Sequence, residues 1–263
     1  MKINNTDIQT LNAKLVEGSI ASLLSYPALK VPNKNDWAEE NGTEYDLASP
    51  QLSAKELTLQ LLLPESKYSQ LATLLTANAY ADYTFKQLQR TYKLRLVGLN
   101  KVQTNGNYIV ADIRLSDDSP LQNYTYQVPT LTAHNVETYI DGKNLTQYGI
   151  TLLEGTQQEI ITAGNAKTYF TAQNSTMSGL VSVNAPVTIQ ERTATLKCFM
   201  YLSITDFLKG YYALLYDLVR PNARTLKYDN KEYPCIYKDG KITELYIDTH
   251  LIWCKFDLQL TIV

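Results

Sequence analysis

The chain has 263 residues, room for one large or two ordinary domains, and its 44% hydrophobic and 19% charged residues exclude a disordered polymer. A formal net charge of −2 gives no electrostatic ground for nucleic acid or an acidic membrane as a non-specific partner. The three cysteines, Cys198, Cys235 and Cys254, are odd in number and fit no zinc spacing, so they predict free thiols made in a reducing compartment.

The first five residues carry no apolar run, which predicts no signal peptide. Lys2–Ile8 reads as a strand turning at Asn4-Asn5, and the alternation of Leu11, Ala13 and Leu15 predicts a second strand over Leu11–Val16. The whole line Ile3–Gly18 recurs without a gap as Ile140–Gly155. Ile3 falls on Ile140, Ile8 on Leu145, Leu11 on Tyr148, Leu15 on Leu152, Glu17 on Glu154 and Gly18 on Gly155. The turn in the second line is Asp141-Gly142, a strong hairpin dipeptide.

Residues 25–50 are long and irregular, with Pro27, Pro32, Gly42 and Pro50 around a lone Trp37 and the acidic group Asp36, Glu39, Glu40 and Glu44. Loops of this length are usually functional or extended. Either the segment is an arm that contacts a neighbouring subunit through Trp37, Asp36, Glu39 and Tyr45, or it is a surface loop whose tryptophan folds back on its own domain. Residues 162–184 are the counterpart, without a tryptophan.

Leu52–Leu63 reads as a strand, answered by Val187–Met200 at the same spacing, which places Leu59 on Leu196. Neither this apolar stretch nor any other is long enough to span a bilayer. Ser66 is a candidate cap for a helix carrying Tyr68, Leu71 and Leu75; Ser203 or Thr205 caps a second carrying Phe207, Tyr211, Leu214 and Leu218 and ending before Pro221. Gly210 inside that helix is expected to cost about 1 kcal/mol against alanine. Strands follow: Thr91–Val97 and Tyr108–Leu115 in one half; Glu232–Tyr237, Glu244–Ile247 and Leu251–Val263 in the other, with a turn at Asp239-Gly240. Residues 117–136 read as a linker in which Tyr124–Val128 could pair as a strand.

These elements predict a mainly β, α+β chain of two tandem homologous domains, residues 1–116 and 137–263, each with one flanking helix. The 20 tyrosines against 5 phenylalanines suit half-buried sheets, or a sugar- or partner-binding surface. The two histidines, His134 and His250, have no nucleophile or carboxylate placed beside them. Cys254 is four residues from His250, but on a strand that spacing is about 13 Å. The acidic group lacks a calcium-loop pattern, and no phosphate loop, serine elbow or metal-binding helix is present. The basic aromatic run Arg90–Arg95, near Lys86, would suit single-stranded nucleic acid; alternating on a strand, it reads rather as a solvent face or a guarded edge. No catalytic, cofactor-binding or metal-binding residue is assigned, and the chain is not expected to be an enzyme.

The order of hairpin, long loop, strand, helix and strands, opening on Asp7-Ile8, Leu11-Asn12 and Glu17-Gly18 and again on Asn144-Leu145, Tyr148-Gly149 and Glu154-Gly155, resembles the N-terminal β-barrel domain of distal tail proteins of long-tailed phages, and more broadly the tail-tube fold. The resemblance covers most of each half in element order and a short stretch in letters. It implies two tail-tube-like split β-barrels and a structural virion protein that forms a ring joining tail tube to baseplate or tip, made in the bacterial cytoplasm. The implied partners are copies of itself, as a trimer with pseudo-sixfold symmetry or as a hexamer, together with tube, hub or tip proteins; no membrane, specific nucleic acid or cofactor is implied. Distal tail proteins usually carry one such barrel before a different C-terminal domain, so no receptor-binding role carries over. The reading from another class is a two-module, non-catalytic binding protein for a glycan or a cell-surface partner.

Overall fold

The computed structural model describes the chain except for residues 123, 135, 136, 169, 170, 177 and 183 to 185. In the first half the elements are β1 (Lys2–Ile3), β2 (Thr6–Asp7), β3 (Lys14–Leu15), α1 (Ser19–Leu24), β4 (Lys34–Asn35), β5 (Glu44–Tyr45), β6 (Lys55–Pro64), α2 (Tyr68–Thr76), β7 (Tyr80–Phe85), β8 (Arg90–Asn105) and β9 (Tyr108–Asp117). In the second they are β10 (Thr138–Ile140), β11 (Lys143–Asn144), β12 (Thr151–Leu152), α3 (Thr156–Ile161), β13 (Thr171–Ala172), β14 (Val181–Ser182), β15 (Arg192–Ser203), α4 (Ile204–Leu218), β16 (Arg224–Tyr228), β17 (Lys231–Ile247) and β18 (Leu251–Ile262). Strands dominate, in two large antiparallel sheets of seven strands each.

The sheets have the same strand order. One runs β2-β1-β7-β8-β9-β6-β3 and the other β11-β10-β16-β17-β18-β15-β12. Among the described residues no pairing joins the two ends of either, so both are open sheets there and no closed barrel is seen. β8 and β17 even bulge in the same places. β8 slips its register between Leu96 and Gly98 and between Lys101 and Gln103; β17 does so between Tyr237 and Asp239 and between Ile242 and Glu244. Such bulges bend a strand and re-aim its side chains.

The letters of the repeated line have local duties. The Asp7 carboxylate accepts from the Gln9 amide at 3.1 Å, and the Asn144 side chain accepts from the Thr146 amide at 2.9 Å. Each caps a 3-10 helix, Ile8–Leu11 and Leu145–Tyr148, so the predicted strand over Leu11–Val16 shrinks to β3. Gly18 and Gly155 hold φ of +85° and +88°, which glycine adopts without strain, and each starts a short helix, α1 or α3, absent from the sequence reading. Among the described residues each half therefore carries two α-helices rather than the one expected.

Three other expectations are corrected. Ser66 sits in a 3-10 turn and does not cap α2, whose N-cap position, Lys67, makes no side-chain capping bond; Ser203 does cap α4, its Oγ accepting from the Asp206 amide at 3.1 Å. β17 runs unbroken through Asp239-Gly240, so no turn lies there. Tyr124–Val128 forms no strand; Tyr124 and Tyr126 instead lay their rings on α4, 6.0 Å from Tyr212 and 4.9 Å from Tyr216.

Alternating residues of β6 and β18, such as Leu59, Leu61, Phe256 and Leu258, point inward, and the buried residues of both halves form one continuous cluster. Cys198, Cys235 and Cys254 belong to it as free thiols, and burial pushes each of them up, Cys235 and Cys254 to about 12. Among the described residues no helix is long and apolar enough to cross a membrane.

Candidate assembly interface

The chain is organised around an arm. After α1, residues 26–29 leave their own half and bridge to the edge of β17 in the other. The Tyr26 amide donates to the Gly240 carbonyl at 2.8 Å and the Leu29 amide to the Lys238 carbonyl at 2.8 Å. The Tyr26 ring is 4.2 Å from Tyr211, 6.0 Å from Phe256 and 6.4 Å from Tyr237, and its hydroxyl donates to the Tyr211 carbonyl at 2.5 Å. Gly240 is glycine for this reason: a Cβ there would stand 2.7 Å from Tyr26 Cδ2.

Further along, the hairpin β4–β5 grips the base of the second long loop. The Lys167 ammonium, almost fully buried, donates to Asp36 Oδ1 at 2.6 Å, the Trp37 carbonyl at 2.6 Å and the Gly42 carbonyl at 2.5 Å. That spends all three of its donors. Tyr45 donates to Glu191 Oε2 at 2.6 Å; burial and this carboxylate push the phenol well above its ordinary range. The Gly42 amide donates to the Ile189 carbonyl at 2.7 Å, and the Asn222 amide to the Leu47 carbonyl at 2.9 Å.

Of the four residues predicted to make an outward contact, Asp36 and Tyr45 thus bind the second half of the same chain. Trp37 is 52% exposed, its Nε1 donating to Glu44 at 3.4 Å, and Glu39 is exposed. Sequence reasoning missed Tyr26, Lys167 and Gly240. The one available signal was Gly240 inside a strand pattern, which marks a bulge or a close backbone approach as readily as a turn.

Under the arm lies the seam between the halves. Lys55 donates its ammonium to the Leu23 carbonyl at the end of α1. Arg192, the matching residue, donates to the Glu159 and Ile160 carbonyls at the end of α3, both at 2.5 Å. Burial pushes the Lys55 amine down to about 7, against a weaker opposing pull from Asp117, and burial likewise raises the Asp117 carboxyl. The unfolded chain holds the Lys55 proton up to about pH 10.4 and the folded chain only to about 7, so native stability rises with pH across that window. Lys55→Met is therefore expected to be more stable than the native chain at pH 6, by about 1–3 kcal/mol. By pH 10 the order reverses by about 1 kcal/mol, the worth of the lost hydrogen bond. Urea unfolding at both pH values checks this; an equal difference at both contradicts it.

Elsewhere the polar chemistry is consumed internally. Arg90 stacks over Tyr212 at 4.0 Å, and Arg95 pairs with Asp118, so the basic aromatic run is engaged within the fold. Asp217, buried in α4, accepts from Tyr148 at 2.6 Å, Lys143 at 2.8 Å and Tyr126 at 2.9 Å. His134 donates its amide to Thr146 Oγ1 at 2.9 Å; His250 lies in the turn before β18, and Cys254 is buried on that strand. Among the described residues no group of three or more His, Cys, Asp or Glu is placed to hold a metal ion. A surface cleft of about 370 Å³ is lined by Tyr80, Arg90, Lys93, Asp118 and Tyr124.

No family model matches the chain, and no curated protein or solved structure is similar enough to count as a match.

Proposed function

We propose that this protein is a structural, ring-forming component of a phage-type tail, in which two copies of one tail-tube-like unit stand in tandem and assemble with further copies around a central channel. The observation that carries the reading is the strand order common to the two sheets, together with the arm that ties the first unit to the edge of the second. A unit that extends an arm onto the edge of the next unit is a head-to-tail building block, and head-to-tail contacts close into rings when the rotation allows. Three chains would then place six units in one ring; six chains would stack two rings. Tube, hub or tip proteins would meet its faces, with half-exposed Trp37 and nearby Glu39 available to them or to another copy. Duplex DNA would pass through without specific contacts. The site of action is the virion tail.

Light scattering tests this. A particle of three or six times 29.7 kDa is expected, and a monomer persisting at high concentration contradicts it. The tyrosine-bearing cleft beside Asp118 favours a second reading, a glycan-binding module. Glycan-array binding by a stable monomer, abolished by Tyr124→Ala, would select it over the ring.

A further inference from the structure

We infer that the second half carries a spare copy of the same arm base and the first half a spare copy of its docking edge, so that residues 161–166 of one chain seat on residues 96–99 of another. The inference rests on the ring reading and gives its contact a location and a register.

The base of the second arm reproduces that of the first, bond for bond. The Ser25 amide donates to the Ala21 carbonyl at 3.0 Å, and Thr162 to Gln158 at 3.1 Å. Lys30 donates to Gln51 at 2.8 Å, and Lys167 to Thr188 at 2.8 Å; Ser53 donates to Ala28 at 2.8 Å, and Gln190 to Asn165 at 2.7 Å. Leu29 bridges Leu52 as Ala166 bridges Ile189. In this correspondence Leu24, Tyr26 and Leu29 match Ile161, Ala163 and Ala166.

What differs is what lies outside them. The Tyr26 and Leu29 amides are spent on β17, whereas among the described residues the Ala163 and Ala166 amides have no backbone acceptor. Leu24 is 2% exposed on α1, which packs on β17, but Ile161 is 47% exposed. A large apolar side chain is left in water at a helix position that its counterpart buries.

The docking edge has a counterpart too. Leu59 faces Ile113, which faces Leu99; Leu196 faces Leu258, which faces Gly240. Leu99 is thus the match of Gly240, and the bulged Val97 that of the bulged Lys238. β16 covers β17 only over Lys231–Cys235, and the first-half arm covers the next stretch. β7 covers β8 only over Arg90–Arg95, and among the described residues nothing pairs with the β7-facing edge from Leu96 onward. Open edges of this kind are templates for another chain.

The side chains trade sizes across the two versions. Within the chain a large plug, Tyr26, lies against Gly240; between chains a small plug, Ala163, would lie against Leu99. Summed volume is kept while its distribution reverses, so each arm fits its own edge and clashes with, or underfills, the other. Every chain then has one plug and one edge unspent, and addition continues until the ring closes.

Cross-linking tests the register. Ala163→Cys and Leu99→Cys are made in separate chains, mixed, and mildly oxidised; in a hydrogen-bonded antiparallel pair the Cα atoms lie about 5.5 Å apart, within disulfide reach. A disulfide-linked pair of chains is expected in the mixture at more than about tenfold the yield of either variant alone, since the three native thiols are buried. Ala166→Cys with Val97→Cys is a second pair that tests the same register should the first perturb folding. Multimers by light scattering with no cross-link from either pair overturn the docking site and leave the ring reading standing. Monomers at every concentration overturn both.

Discussion

Gly210→Ala is expected to destabilise the protein by about 2–4 kcal/mol. Helix propensity alone gives the opposite sign, because alanine gains about 1 kcal/mol over glycine inside a helix. The deciding fact is steric. A Cβ at position 210 would stand 2.1 Å from the Tyr148 carbonyl oxygen and 2.9 Å from its carbonyl carbon. Both are backbone, so nothing flexible can swing aside. Tyr148 is itself fixed, fully buried and bonded through its hydroxyl to Asp217 at 2.6 Å on the same helix. To admit the methyl, α4 must lift from the 3-10 helix beneath it and stretch that bond. The relevant measurement is the urea midpoint at constant slope. A variant at least as stable as the native chain would show that α4 does not pack at this distance.

Tyr26→Ala should cost still more, about 3–5 kcal/mol, and should release the arm. The side chain is 5% exposed and closes a cluster with Tyr211, Phe256 and Tyr237. Truncation leaves a cavity between the halves and removes the hydroxyl that donates to the Tyr211 carbonyl. Tyr26→Phe keeps the ring and loses only the hydrogen bond, so about 1–2 kcal/mol is expected. The two variants separate packing from polar loss. Limited proteolysis adds a local readout, since cleavage within residues 25–50 should accelerate in the alanine variant and hardly change in the phenylalanine one. Unchanged cleavage in both would mean that the polar contacts of Lys167 and Glu191 hold the arm without Tyr26.

The repeat was legible because local signals carried it: a capping Asp7 or Asn144, a positive-φ glycine at 18 or 155, and an alternating strand through Leu59 or Leu196. What failed was whatever depended on distant partners. Asp239-Gly240 looks like a hairpin turn because that dipeptide usually is one. Here the glycine answers to Tyr26, far away in sequence, and a strand glycine marks such an approach no more clearly than it marks a turn. α1 and α3 have only six residues each, too short to establish a helical period against their neighbours. β7 and β16 went unseen for a similar reason, being strands of only six and five residues.

The interface was half legible. The length and prolines of the loop at 25–50 left open an arm to a neighbouring subunit or a loop folded on its own domain, with Trp37 as the anchor in either case. The residues that hold it are instead Tyr26, at the very start of that stretch, and Lys167 in the other half, whose lysine says nothing until Asp36 and two carbonyls are seen around it. The tryptophan stays half in solvent.

Negative-stain microscopy of the purified chain tests the ring reading. Closed rings with six repeating lobes and a central hole of about 20 Å or more, wide enough for duplex DNA given its groove dimensions, are expected. Isolated two-lobed particles at all concentrations would contradict it.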